Sequence, residues 1–260
     1  MRRSFCQIPG ITHQTEAKLW SVGFSDWSDL LSDVNSAPLG IANRAFVQKH
    51  LEDHIEAFEQ GDRAYFASAL GSKLAWRAFS AFENECVYVD IETNGGNVGE
   101  SITLIGAFDG QQFRGFVKFQ NLEEFPDFLD QFKMIVTFFG ESFDLPLIKK
   151  KFTELNIDHL HIDLCPALRA IGYSGGLKKI EKQLGVNRGN DVDGLNGLQA
   201  IQLWNRYQEF DDENAFRLLL EYNREDVVNL QFLARYATSR LERMALLGEE
   251  VTVKSVRKRY

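Results

Sequence analysis

The sequence predicts an α/β fold: a mixed β-sheet flanked by helices and preceded by a small all-helical N-terminal domain. Three observations predict it. Apolar residues recur at helical spacing up to about residue 80, strand signals begin only at Cys86, and the chain returns to helices after its last strand. With 260 residues, the chain can bury a sizeable core in one large domain or two small ones.

The first 80 residues carry helical patterns in five segments, which are TEAKLWSVGF, WSDLLSDV, IANRAFVQKHLEDHIEAFEQG, DRAYFASAL and SKLAWRAFSAF. The third segment ends at Gly61, a typical helix stop. His50 and His54 lie four residues apart in it, and we expect a solvated face there rather than a zinc site, because no third ligand is near in sequence. We predict a helical N-terminal domain over residues 1–80.

Strand patterns fill the middle of the chain. The predicted strands are CVYVDIE, SITLIGAF, FRGFVKF, MIVTFF and HLHIDL, with a hairpin turn at Asp109-Gly110. Predicted helices are LEEFPDFLDQF, with Pro126 in its first turn or bending it, then LPLIKKKFTEL, LKKIEKQLG, GLQAIQLWNRYQEF and a long helix near 212–237. Three antiparallel strands followed by strand–helix–strand make a mixed sheet, predicted within residues 81–245 and followed by a basic tail at 246–260.

Composition sets few limits on function. The net charge of −8 and the pI of about 5.2 do not indicate nucleic acid by themselves, although a carboxylate-rich metal site would add to an acidic balance. The three cysteines are widely spaced and form no CxxC motif, which disfavours disulfides and zinc and fits a reducing compartment. Neither a signal peptide nor an apolar run of 18 residues is apparent, so we expect a cytoplasmic protein without a membrane partner.

Two carboxylates lie on one face of the first predicted strand. In VYVDIE, apolar residues alternate with Tyr88, Asp90 and Glu92, so the two acids point to the same side of the sheet. Neighbouring like charges repel each other unless a positive charge lies between them. The face is therefore either a polar surface that meets water or a site for hard cations, which prefer carboxylate oxygens.

Two further acidic residues follow at separated points of the chain. Asp144 comes after the apolar strand MIVTFF, where ligands bind in α/β sheets, and before a helix, where aspartate is also a common cap. Asp226 lies four residues after Tyr222 on an amphipathic helix, so the two share a face; a packed tyrosine with a surface aspartate is the alternative. Asp163, near the end of the fifth strand, is a candidate for supporting the site.

Together these acids favour a two-metal site. The ordered set of Asp90, Glu92, Asp144 and Asp226 comes from three separated elements and can hold two Mg²⁺ or Mn²⁺ ions about 4 Å apart. Such ions lower the pKa of a bound water and neutralise the charge that develops on a phosphodiester under attack. The set predicts a hydrolase that cleaves phosphodiester bonds.

The acidic residues belong to three short motifs, which are Asp90-Ile91-Glu92-Thr93, Phe143-Asp144 and Tyr222-x-x-x-Asp226. These motifs resemble those of the DEDDy-type 3′–5′ exonucleases of the ribonuclease H-like superfamily. The stretches GITHQTEAKLWSVGFSDWSDLL, AWRAF and LKKIEKQLG resemble the YprB-like bacterial branch, so the resemblance covers most of the chain. The histidine variant of the family has His where this chain has Glu221, which supports the tyrosine class.

The resemblance implies a ribonuclease H-like sheet and an exonuclease acting on DNA or RNA with a single-stranded 3′ end. It implies that the four carboxylates bind both metal ions and that Tyr222 orients the attacking water. It assigns Thr93, Gly95 and Phe143 to substrate binding near the 3′ end. One departure is Phe139, which stands where many members have Asn; this change affects the substrate pose or the activity without removing a metal ligand.

Two features leave alternatives open. PGITHQT resembles a degenerate helix-hairpin-helix element, which would either pack structurally or contact the DNA backbone through its N–H groups. This imperfect hairpin and Phe139 together motivate a second hypothesis, a nucleic-acid-binding module of the same fold that has lost catalysis. A third is an endonuclease of the same superfold acting on RNA in hybrids, which the tyrosine motif disfavours.

Overall fold

The computed structural model describes residues 1–249, 251, 253 and 254, with the side chains of Ile41 and Ala42 excepted. Its strands are β1 (Cys86–Thr93), β2 (Ile102–Phe108), β3 (Phe113–Val117), β4 (Met134–Thr137) and β5 (Leu160–Asp163). They form one sheet in the order β3-β2-β1-β4-β5. The β1–β2 and β2–β3 pairs are antiparallel, whereas β1–β4 and β4–β5 are parallel. This topology confirms the predicted mixed sheet.

Helices precede and flank the sheet. Those before it are α1 (His13–Ser21), α2 (Trp27–Ser32), α3 (Ile41–Gln60), α4 (Arg63–Leu74) and α5 (Phe79–Phe82). Those between β3 and β5 are α6 (Phe125–Leu129) and α7 (Asp144–Lys151). Those after it are α8 (Leu164–Ala170), α9 (Leu177–Gln183), α10 (Gly197–Phe210) and α11 (Glu213–Leu246). The predicted order of an N-terminal helical region before a helix-flanked sheet is therefore confirmed.

The alternation in β1 sends its side chains to two separate cores. Val87, Val89 and Ile91 pack in a cluster on the side of α6 and α7. Tyr88 belongs to a second cluster, which also contains residues of α11 and of the N-terminal helices. Because side chains on a strand alternate, Asp90 follows Tyr88 and faces α11. The central strand thus presents its acidic side to the long helix.

The N-terminal helices share a hydrophobic core with the sheet. Phe5 and Trp27 lie in one cluster of buried side chains with Tyr88, Leu160 and Val227. Polar contacts add to this packing, because Arg63 at the start of α4 forms ion pairs with two aspartates of the sheet region. Asp130, just after α6, lies 2.5 Å away, and Asp158, just before β5, lies 2.8 Å away. A domain boundary near residue 80 stays a prediction.

Two local predictions differ from the structure. The segment SKLAWRAFSAF is not one helix, because α4 ends within it at Leu74 and a 3-10 turn over Ala75–Ala78 separates α4 from α5. The solvated face predicted for His54 is wrong: its ring is buried, contacts the Tyr65 hydroxyl through Nδ1 at 2.8 Å and packs edge-on against Trp27. Aromatic residues from other helices cover this position, which the spacing within α3 could not reveal.

The end of the chain is described in part. The helix α11 continues to Leu246, nine residues beyond its predicted end. Of the predicted basic tail at 246–260, residues 250, 252 and 255–260 lie outside the described residues. Among the described residues, no helix combines the length and apolar character needed to cross a membrane.

Candidate metal centre

Three of the predicted acidic residues converge at the centre of the sheet. Asp90 and Glu92 come from β1, and Asp226 comes from α11, which packs over that strand. One carboxylate oxygen from each lies within 4.8 Å of the other two. Glu92 and Asp226 are buried, whereas Asp90 is half-buried. Asp90 borders a surface opening that is also lined by Lys178, Tyr222 and Asp226. Residues separated by more than 130 positions in sequence thus share one cluster.

Asp144 lies beside this cluster rather than within it. It is the first residue of α7, just beyond the carboxyl end of β4, and its side chain is buried. Its Oδ1 accepts a hydrogen bond of 3.1 Å from the backbone N–H of Ile91, the residue between Asp90 and Glu92. The cap position of α7 is Phe143, without a side-chain cap. The side chain of Asp144 is therefore directed to β1.

The cluster disfavours its own negative charge. Burial raises the pKa of Glu92 to about 8, and the neighbouring Asp226 charge adds to the shift. Burial raises the pKa of Asp144 to about 7. The pKa of Asp90 lies well above its usual value because of burial and the charges of Asp144, Asp226 and Glu92. Hard divalent cations, which prefer carboxylate oxygens, would relieve this repulsion, so these residues fit Mg²⁺ or Mn²⁺.

Tyr222 lies one helical turn before Asp226 and lines the same opening. Its hydroxyl accepts a hydrogen bond of 3.0 Å from the Lys178 ammonium, which also lies 4.1 Å from the centre of the tyrosine ring. Lys178 donates in addition to the Leu195 carbonyl. Burial and the charge of Asp226 raise the pKa of Tyr222, so the phenol keeps its proton. The sequence patterns did not single out Lys178, because only the fold brings α9 against α11.

Arg188 is a second residue that sequence reasoning missed. Its guanidinium donates to Asp226 Oδ1 at 2.5 Å and forms a two-point contact with the buried Glu181, at 2.7 and 2.8 Å. Glu181 also accepts a hydrogen bond of 3.0 Å from the Asn229 side chain. The cation opposes the upward shift that burial imposes on the pKa of Asp226. Arg188 lies in the loop after α9, where its own sequence neighbourhood gives no signal.

The predicted substrate residues lie at or next to a cleft beside this opening. Thr93 and Phe143 line a cleft of about 310 Å³ together with Asp90, Glu92, Tyr222 and Asp226. Gly95 lies just beyond the end of β1 with φ +93°, and a Cβ there would be 3.5 Å from Ile201 Cδ1, which lines the same cleft. The cleft therefore brings two of the three predicted residues next to the carboxylates, and the third borders it.

Phe139 and Asp163 shape the loop between β4 and Asp144. Phe139 has φ +67°, a conformation that asparagine tolerates better than phenylalanine. Its backbone N–H donates to Asp163 Oδ1 at 2.8 Å, and the Glu141 N–H donates to Asp163 Oδ2 at 3.2 Å. Asp163 thus holds the backbone of the segment that leads into Asp144, as a supporting residue would.

A second group of potential metal ligands lies near the N-terminus. Cys6, His13 and Glu16 come close enough to share an ion. However, the Arg77 guanidinium lies 2.9 Å from Glu16 Oε2, 3.5 Å from His13 Nδ1 and 4.0 Å from Cys6 Sγ. Because a cation already contacts all three side chains, we interpret this group as a buried ion pair. It ties the hairpin-like element to the turn before α5.

Comparison with models of protein families identifies a superfamily. A family model described as the RNase H superfamily matches residues 87–238, which is more than half of the chain. The matched segment contains the three clustered carboxylates, Asp144 and Tyr222. No curated protein matches the chain.

Proposed function

The chain belongs to the RNase H superfamily, and on that basis we propose that it is a metal-dependent 3′–5′ exonuclease that hydrolyses phosphodiester bonds of DNA or RNA. Membership indicates a nuclease whose substrate is nucleic acid and whose chemistry uses divalent metal ions. One observation carries the finer proposal. Carboxylate oxygens of Asp90, Glu92 and Asp226 lie within 4.8 Å of one another, and Tyr222 lies one helical turn before Asp226 on α11.

In this proposal, Asp90, Glu92, Asp144 and Asp226 hold two Mg²⁺ or Mn²⁺ ions. When bound, such ions activate a water molecule and neutralise charge on the phosphate and on the leaving oxygen. The carboxylates supply hard oxygen ligands at the end of the cleft, and Asp144 would reach the second ion from the start of α7. The repulsion within the cluster supports this assignment because it favours bound cations.

Tyr222 orients the attacking water. Its hydroxyl accepts a hydrogen bond from Lys178, so its own proton is free to be donated to the water. The raised pKa supports this role because the phenol remains a donor at neutral pH. We propose that Thr93, Gly95 and Phe143 surround the terminal nucleotide of a single-stranded 3′ end, because Thr93 and Phe143 line the cleft beside the carboxylates. The three free cysteines fit a location in the cytoplasm.

The test uses single-stranded oligonucleotides labelled at either end, incubated with Mn²⁺. The proposal predicts immediate release of labelled mononucleotide from the 3′ label and a ladder of shortening fragments from the 5′ label. Asp90→Ala and Asp226→Ala should abolish cleavage, and Tyr222→Phe should lower the rate on the order of 100-fold. Asp127→Ala, which changes an exposed aspartate on α6, is the matched control and should cleave as the wild type does.

Three outcomes would contradict the proposal. Equal cleavage by the wild type and the Asp90→Ala and Asp226→Ala variants would remove the carboxylates from the mechanism. Cleavage of a circular single strand would indicate an endonuclease of the same superfold. Tight binding of the oligonucleotide without metal binding or turnover would instead indicate a binding module.

A further inference from the structure

Asn223 contacts the first carboxylate of the cluster directly. It follows Tyr222 on α11, and its side chain is completely buried. Its Nδ2 donates to Asp90 Oδ2 at 3.1 Å and lies 3.5 Å from the Asp90 carbonyl oxygen. Because the amide is neutral, it fixes one oxygen of Asp90 without adding a positive charge that competes with a cation.

The sheet leaves a space for this amide at Gly106. In the antiparallel register of β1 and β2, Gly106 lies opposite Asp90. A Cβ atom at Gly106 would lie 1.7 Å from Asn223 Oδ1 and 2.8 Å from its Cγ, far inside van der Waals contact. Any side chain at Gly106 would therefore displace Asn223 from Asp90. The glycine on β2 and the asparagine on α11 are complementary in shape.

The position of Asn223 has an energetic disadvantage that a packing role does not explain. Its Oδ1 is buried and has no hydrogen-bond partner among the described residues. A buried polar atom without a partner destabilises a protein, because it has lost its hydrogen bonds to water without gaining a replacement. Asparagine is also a weak helix former in a helix interior. An aliphatic side chain would fill the space without this disadvantage. What the asparagine provides is therefore its hydrogen bonding to the acidic cluster: the bond to Asp90, and a further one that lowers the pKa of Glu92.

We propose that Asn223 is a positioning residue that orients the Asp90 carboxylate for metal binding, and that Gly106 provides the space it needs. The inference rests on the proposed metal-dependent function. The hydrogen bond to Oδ2 restricts the rotation of the Asp90 carboxylate. Partners of metal ligands typically change metal affinity or activity by about 10–100-fold when they are mutated.

Mn²⁺ titration by calorimetry tests this role without relying on activity. We expect Asn223→Ala to bind Mn²⁺ about 10-fold more weakly than the wild type. Asn121→Ala is the matched control, because the Asn121 amide bonds only backbone groups of the β3 hairpin, at Val117 N and Gly115 O. It should lose stability while keeping the wild-type Mn²⁺ affinity. Equal affinity of Asn223→Ala and wild type, or equal weakening in both variants, would overturn the inference.

Gly106→Ala provides a second variant that leaves Asn223 unchanged. Alone, it should weaken Mn²⁺ binding as Asn223→Ala does, because the new methyl group displaces the amide. In the Asn223→Ala background, the same glycine change should have little further effect, since the clashing atoms are gone. Fully additive effects of the two changes would contradict the coupling. If Gly106→Ala does not fold, Asn223→Ala still decides the question.

Kinetics separates positioning from general damage to the fold. For Asn223→Ala, the Mn²⁺ concentration that gives half-maximal cleavage should rise about 10-fold while KM for the oligonucleotide stays unchanged. Saturating Mn²⁺ should restore most of kcat. Failure of the proposed function has a different signature: the wild type itself would bind no Mn²⁺. Wild-type binding with an unchanged Asn223→Ala variant would reject the inference alone.

Discussion

Each acidic residue of the candidate site has its own surroundings. Asp90 receives the Asn223 amide, Asp226 receives the Arg188 guanidinium, and Asp144 receives a backbone N–H. Glu92 lies buried beside Asp226, and its pKa rises to about 8 mainly because of burial. In the absence of a cation, Glu92 therefore favours the protonated state in the folded protein well into the neutral range.

Glu92 makes the stability of the metal-free protein depend on pH. The folded protein holds the Glu92 proton up to about pH 8, whereas the unfolded chain releases it near 4.5, so this group's contribution to stability is lost as pH rises between those values. In EDTA, Glu92→Gln should therefore gain stability relative to the wild type from pH 5 to pH 8. Urea unfolding at several pH values measures the difference.

The matched control is Glu209→Gln, which changes an exposed glutamate on α10 and should show the same pH dependence of stability as the wild type. Mn²⁺ should reduce the loss of stability with rising pH in the wild type, because a bound cation stabilises the ionised carboxylates. A stability difference between Glu92→Gln and wild type that does not change with pH would contradict the assigned surroundings of Glu92.

The sequence could reveal some site residues and not others. The acids Asp90, Glu92, Asp144 and Asp226 were identifiable because each interrupts or follows an apolar pattern in a recognisable motif. Lys178, Arg188 and Asn223 were not, because their roles depend on contacts across 38 to 133 positions in sequence. Asn223 had one weak signal: it is a buried polar residue next to the motif tyrosine, within an amphipathic helix.

The helices α9 and α11 meet through buried charges. Arg188, in the loop after α9, forms ion pairs with two acidic residues, Asp226 on α11 and Glu181 on α9. Both side chains of the Arg188–Glu181 pair are almost completely buried. Removing one partner of such a pair leaves an uncompensated buried charge, which destabilises strongly.

We predict that Arg188→Met lowers the free energy of unfolding by about 3–5 kcal/mol in metal-free buffer. Combining it with Glu181→Leu should recover part of that loss, because the buried carboxylate of α9 is then absent while Asp226 still lacks its cation. Arg224→Met removes an exposed i,i+3 pair with Glu221 on α11 and should change stability by less than about 1 kcal/mol. Equal effects of the Arg188 and Arg224 changes in chemical denaturation would contradict the buried network.

Most elements were predictable because their patterns are local. The helix over GLQAIQLWNRYQEF has the predicted ends, and Asn196 caps it through the backbone N–H groups of Leu198 and Gln199. Each strand begins and ends within two residues of its predicted ends. The region after Gly71 was not predictable, because its helical spacing conceals a 3-10 turn over Ala75–Ala78. There the backbone conformation, rather than apolar periodicity, decides the structure.

One hydrophobic cluster joins the N-terminal helices to the sheet. It contains Phe5 and Leu51 before the sheet, Tyr88 and Leu160 within it, and Leu233 on α11. Unfolding of the N-terminal helices would expose the apolar side chains of the sheet that they cover. The two parts therefore depend on each other for stability, even where they are separate in sequence.

We predict a single cooperative unfolding transition for the chain. Three of its four tryptophans, Trp20, Trp27 and Trp76, lie before the sheet, so fluorescence mainly reports the N-terminal helices, whereas far-UV circular dichroism reports all helices. The two signals should give coincident urea transitions. A fragment of residues 81–260 should unfold at a lower urea concentration than the full chain. Separate fluorescence and dichroism transitions would show instead that the two parts fold independently.

The most direct test of the account is a crystal structure of the protein soaked in Mn²⁺, with anomalous scattering used to locate the ions. We predict two anomalous peaks that share Asp90 as a ligand, one of them also bound by Glu92 and Asp226 and the other on the side of Asp144. The same soak of Asp90→Ala should lose both peaks. Absence of any peak at the wild-type carboxylate cluster, in crystals that bind Mn²⁺ elsewhere, would contradict the assignment of this cluster as the metal centre.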